Sequence, residues 1–159
     1  MSDPPPPPPS GSELHEKLFT ASRAGDGTLV GELLVAGADP NKYKDMFGNA
    51  ALLEAAFIGK DSIVSMLINL GADLNMQNIH GDTALHRAAV RGKNEVIRTL
   101  TNAGAELNLK NCDGETAVHY AAEKGHNEVA TTLFLFGADM SIQNKDWETP
   151  PHHPIVRFR

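Results

Sequence analysis

Glycine recurs on a fixed beat in this chain, and that beat constrains the fold more than any single residue does. Gly59, Gly92 and Gly125 stand 33 residues apart, and Gly25 precedes Gly59 by 34. Twelve residues after each comes a second glycine, followed by alanine and an acid: Gly37-Ala38-Asp39, Gly71-Ala72-Asp73, Gly104-Ala105-Glu106 and Gly137-Ala138-Asp139. A third set, Gly48, Gly81 and Gly114, opens the later units. Self-similarity at such a period belongs to solenoids, in which each unit buries its apolar face only against its neighbours. The chain is therefore expected to act as a binding surface.

The residues of the third unit, 78–110, account for its shape. Asn78-Ile79-His80-Gly81-Asp82 has turn composition, with Gly81 free to take a positive φ. Thr83 is placed to cap a helix whose small apolar residues Ala84, Leu85, Ala88 and Ala89 follow helical spacing. Gly92 ends that helix. A second helix then carries Val96, Ile97 and Leu100 on one face until Gly104 stops it. Alanine pairs at Ala55-Ala56, Ala88-Ala89 and Ala121-Ala122 let first helices of adjacent units approach closely, while larger Leu, Ile and Val fill the space behind.

Two motifs recur in phase: Gly81-Asp82-Thr83-Ala84-Leu85-His86-Arg87-Ala88-Ala89 and Gly114-Glu115-Thr116-Ala117-Val118-His119-Tyr120-Ala121-Ala122. With the Gly-Ala-Asp/Glu signature and the Asn-bearing loop that follow them, they resemble the ankyrin repeat, although Ala84 and Ala117 replace the proline of its Thr-Pro-Leu-His. The resemblance spans residues 13–147. It implies an all-α helix-turn-helix solenoid with short turn or hairpin tips. Four repeats are expected over residues 13–144, at 13–44, 45–77, 78–110 and 111–143. Ala50 and Leu53 replace the threonine and histidine in the second repeat, removing its cap. Glu16 and Phe19 replace them in the first, whose scattered Glu13, His15 and Lys17 suit an N-terminal cap. One extra residue between Gly37 and Gly48 should lengthen the 41–47 loop.

The ends differ from the repeats. Residues 1–12, with six prolines from Pro4 to Pro9, are expected to be disordered or polyproline II, a spacer or a ligand for aromatic grooves. Residues 145–159 begin a fifth unit with Trp147 where glycine belongs, and Pro151 and Pro154 would each cost about 3 kcal/mol inside a helix. The unit is expected to abort into an irregular cap in which Trp147, Ile155, Val156 and Phe158 lie on the fourth repeat. The competing expectation is a ragged edge that drives weak self-association.

Composition narrows the function. The formal net charge is -6 in 159 residues, with no basic stripe, so nucleic acid and anionic membrane are poor partners. Cys112 is the one cysteine, and the N-terminal sequence has no secretory pattern, so cytoplasm or nucleus is the expected compartment. His86 and His119 are expected to bond turn backbone and threonine rather than metal. His126 is assigned to the surface or to a contact between repeats, and His152-His153 lack metal-site spacing. Cys112 has no base nearby in sequence, and no serine elbow or phosphate loop occurs. Neither an enzyme, a cofactor nor a small-molecule substrate is expected. Asn75 and Asn108 lie where some ankyrin proteins resemble substrates of asparaginyl hydroxylase, but tying the loop backbone is the simpler role.

The resemblance implies that a protein partner is held by turn tips and the open side of the first helices. The positions left free there are Met46, Phe47, Asn49, Phe57 and Ile58 in the second repeat. Ile79, His80, Asp82, Val90 and Arg91 follow in the third, and Cys112, Asp113, Glu115, Glu123 and Lys124 in the fourth, with Arg23 in the first. An apolar anchor around Phe47 and Phe57, flanked by Val90 and Ile79, is expected to have a polar rim in the fourth repeat. The competing reading turns Phe57 and Ile58 inward beneath the 41–47 loop. The expected function is a noncatalytic scaffold or adaptor, with direct inhibition of an enzyme such as a protein kinase as the alternative.

Overall fold

The computed structural model of the protein describes residues 2–150. Among these residues there are eight α-helices and no strands. Helices α1 (Gly11–Ala24) and α2 (Gly27–Val35) form the first hairpin, and α3 (Ala51–Ile58) and α4 (Asp61–Asn69) the second. The third pairs α5 (Ala84–Val90) with α6 (Asn94–Asn102), and the fourth α7 (Ala117–Glu123) with α8 (Asn127–Leu135). First helices contact first helices in series, second helices contact second helices, and each hairpin closes on itself. The molecule is an all-α helix-turn-helix solenoid.

Side-chain size explains the two rows. Ala55, Ala56, Ala88, Ala89 and Ala121 are completely buried, so the first helices meet almost backbone to backbone. Behind them Val64 and Leu67 of α4, Ile97 and Leu100 of α6 and Leu133 of α8 fill one continuous core. Each such burial contributes about 1.5–3 kcal/mol. No helix among the described residues is long and apolar enough to cross a membrane.

The turns are held by a polar ladder. The side-chain oxygens of Asp45, Asn78, Asn111 and Asn144 each accept from the backbone N–H groups two and four residues on. Asn78 then donates to Asn49 Oδ1 at 2.9 Å, and Asn111 to Asp82 Oδ1 at 3.0 Å, joining successive repeats. Backbone follows the same step, since Ile79 N–H donates to the Phe47 carbonyl and Cys112 N–H to that of His80, both at 2.9 Å. The close approach explains Gly81: its φ is +76°, and a Cβ there would stand 2.8 Å from Cys112 N.

Histidine completes the joint. Thr83 N–H donates to His86 Nδ1 at 3.1 Å, which leaves the ring proton on Nε2 to donate to the Glu115 carbonyl at 2.8 Å. Thr116, His119 and the Glu148 carbonyl repeat the arrangement one unit later. Burial, the largest influence, lowers the affinity of both imidazoles for a proton. Ala50 gives α3 no such cap. His126 also joins repeats, with its Nε2 on the Val90 carbonyl at 3.2 Å.

The ends depart from expectation. Helix α1 starts at Gly11, inside the segment assigned to the tail, because the Ser10 hydroxyl caps it by accepting from Glu13 N–H. Residues 2–9 carry no regular element and are exposed. Phe19 fills the histidine position of the first repeat and lies 5.2 Å, ring to ring, from Tyr43 of the lengthened loop. Trp147 is 80% exposed rather than laid on the fourth repeat. It alone among the described non-glycine residues has a positive φ, +64°. Ile155, Val156, Phe158, Pro151, Pro154 and His152-His153 fall outside the described residues.

Candidate protein-binding site

Helix α3 places the central aromatic. Its alanines are consumed by packing, which leaves Phe57 and Ile58 half-buried at its C-terminal end, where Gly59 stops the helix. Together with the exposed Phe47 of the preceding turn, they line a groove of about 500 Å³. Arg23 of α1, Glu54 of α3 and Arg87 of α5 close its helical side, while Asp45, Asn49, Asn78 and His80 form its turn side.

Two arginines four residues apart, Arg87 in α5 and Arg91 at its C-cap, shape this groove. The guanidinium carbon of Arg87 lies 4.1 Å from the Phe57 ring centroid, and that of Arg91 lies 4.7 Å away. Cations at this distance are drawn to the ring face. Arg87 also donates through Nη2 to Glu54 Oε1 at 3.4 Å, while its buried Nε has no hydrogen-bond partner. Phe57 thus lies against two guanidinium groups.

Of the expected residues the structure brings together Arg23, Phe47, Asn49, Phe57, Ile58 and His80 in the groove, with Arg91 beside the Phe57 ring. Met46 and Ile79 are exposed on the neighbouring turn tips, at 84% and 59%. Asn49 and Asp82 are not free, because both are buried in the ladder. Asp82 also accepts from Tyr120 Oη at 3.1 Å. Burial, and then Asp82, push the Tyr120 hydroxyl well above its usual range. Val90 does not line the groove; its carbonyl serves His126. Cys112, Asp113, Glu123 and Lys124 are exposed but lie outside the groove lining. Glu115 is half-buried, and burial first, then Glu123 and Asp113, raise its carboxyl above the usual range.

Glu54 and Arg87 were missed as groove residues, although the period contains a signal for them. They occupy equivalent positions 33 residues apart, so opposite charges meet between adjacent first helices. Asn75 and Asn108 each use Oδ1 to accept a backbone N–H of the following repeat, from Glu106 at 2.9 Å and Asp139 at 2.8 Å. Cys112 is a free, exposed thiol. Among the described residues no group of three or more His, Cys, Asp or Glu is arranged to hold a metal ion.

A comparison with curated proteins returned no match. A family model described as ankyrin repeats (3 copies) matches residues 18–111 and again 71–144, which together run from within α1 to beyond α8. Repeats of this family generally serve as protein–protein interaction modules. The matched residues, the 33-residue step and the threonine–histidine joints agree, and the chain belongs to the ankyrin-repeat family.

Proposed function

We propose that the protein is a noncatalytic scaffold or adaptor that holds a protein partner on the row of first helices and the adjoining turn tips. The observation that carries this reading is the groove at Phe47 and Phe57. There, aromatic surface stays open on a framework whose periodically placed polar groups bond each other. A preformed rigid surface binds with little ordering cost, and aromatic and arginine side chains are favoured at energetic centres of interfaces. The unpaired Cys112 fits a reducing compartment, cytoplasm or nucleus.

Affinity purification from the native cell tests the reading, comparing wild type with the Phe47→Glu/Phe57→Glu double variant. Loss of one set of partners by a variant that keeps its helical circular dichroism supports it. Equal capture by both proteins overturns it. Inhibition of a kinase is the other reading, favoured by similar size to the four-repeat kinase inhibitors of the family. Those carry a shortened first helix in their second repeat, whereas α3 has eight residues against seven in α5 and α7. The scaffold reading is preferred for that reason.

A further inference from the structure

We propose that the groove between the second and third repeats takes an acidic peptide segment of the partner. A carboxylate side chain would seat against the guanidinium edges of Arg87 and Arg91, with a neighbouring apolar side chain on Phe47 and Phe57. The proposal deepens the scaffold reading and rests on it.

Stacking uses only the face of a guanidinium. Its N–H groups point outward in the plane, in a fork that matches a carboxylate. Both guanidinium carbons lie over Phe57, at 4.1 and 4.7 Å from its centroid, so the ring holds the two groups and their N–H edges in place before any ligand arrives. Those edges have spare capacity. Arg87 gives Glu54 one bond at 3.4 Å and leaves Nε unpaired, a state that buried donors rarely keep. Arg91 is exposed, and among the described residues no carboxylate lies within ion-pair reach of it.

The local charge has the matching sign. The chain carries a formal charge of -6, yet Arg23, Arg87 and Arg91 gather here. The two carboxylates of the groove are already engaged. Asp45 accepts from the Phe47 and Asn49 N–H groups and from Asn49 Nδ2, and Glu54 accepts from Arg87. Three cations clustered in a groove on an acidic molecule do not form the stripe that a phosphate backbone requires, so a peptide is the fitting occupant. The aromatic floor adds a place for an apolar side chain beside the acid.

Selection of short random peptides on phage against the full chain tests the proposal. Enriched sequences are expected to place Asp or Glu next to an aromatic or aliphatic residue. A synthetic peptide of the enriched sequence should bind about tenfold more weakly to Arg91→Gln, and the loss should match that from Glu→Gln in the peptide. Arg91 is exposed, so Arg91→Gln should melt like wild type, which separates binding from folding. Arg91→Lys should restore only part of the affinity, because the ammonium keeps the charge without the fork. Enriched peptides without acids, or equal binding to Arg91→Gln, overturn the proposal. Non-acidic peptides that still require Phe57 would overturn it while supporting the scaffold surface. Peptides indifferent to both Phe57 and Arg91 would count against both. Failure to enrich any peptide overturns the proposal and leaves native-partner capture to judge the broader reading.

Discussion

The joint at Asn111 and the groove at Phe57 each set polar side chains beside an aromatic ring, and they end in opposite conditions. At the joint, Asn111 donates to Asp82 and to Tyr120 and accepts from the Asp113 and Glu115 N–H groups, so its hydrogen-bonding capacity is consumed internally. In the groove, Arg87 and Arg91 rest on an aromatic ring with donors to spare. The first arrangement fixes repeat against repeat. The second leaves interaction energy available for another molecule. Polar residue type therefore says little about role in a solenoid; what matters is whether the neighbouring repeat already satisfies the side chain.

The largest effect should come from breaking the joint. Asn111→Ala strips two backbone donors of their acceptor and takes one partner each from Asp82 and Tyr120, which keep only their bond to each other, and should cost roughly 3 kcal/mol in urea unfolding. A loss below about 1 kcal/mol would mean that the turns are not held by the ladder.

Acid should loosen the same joint from another side. Burial depresses the folded-state proton affinity of His86 and His119 below the usual value of 6.5. The unfolded chain then binds more protons, so the contribution is fully present above that value and is lost as pH falls through the folded values. The melting temperature should drop between about pH 7 and pH 5, and by less in a His86→Gln/His119→Gln variant. Glu115, with its raised carboxyl, acts in the opposite sense, but its window lies in the lower carboxylate range. Equal pH slopes for wild type and variant would remove the imidazoles from the account.

A smaller change should appear at the C-terminal turn. Trp147 holds a φ of +64° in register with glycines at +74° to +76°. Trp147→Gly relieves that conformation and should stabilise the protein by about 1 kcal/mol. Destabilisation instead would indicate that the indole makes contacts worth more than the relieved backbone conformation.

The groove should give the smallest response in stability. Phe47→Glu alters an exposed side chain and should stay within about 0.5 kcal/mol of wild type. Its effect belongs in partner capture, and a large stability loss would move Phe47 from the interface to the framework.

The difference between the two regions also decided how far each was legible. Gly81, Gly92, Thr83, His86 and the alanine pairs announced the hairpins because their chemistry is local: a positive φ, a cap, a close helix approach. Phe47 and Phe57 stood out as apolar residues at turn-tip and first-helix positions. Asn49 and Asp82 misled because their partners, Asn78 and Asn111, lie 29 residues away, beyond any local pattern. Arg87 was passed over inside a repeat motif, although its pairing with Glu54 obeys the period. The start of α1 was two residues early because Ser10, rather than a later residue, supplies the cap.

Periodicity alone determined the helix pairs, their order and the all-α stack, since each repeat must bury the same alanines and leucines against the next. The tertiary structure decided which polar groups are spent between repeats and which remain open. That depends on distances between residues about one repeat apart, and the order of residues along a chain does not contain them. Arg91 was a candidate from its free position in the repeat, but Arg87 joined it only when α5 was laid beside α3, with both guanidiniums over a ring that a different repeat supplies.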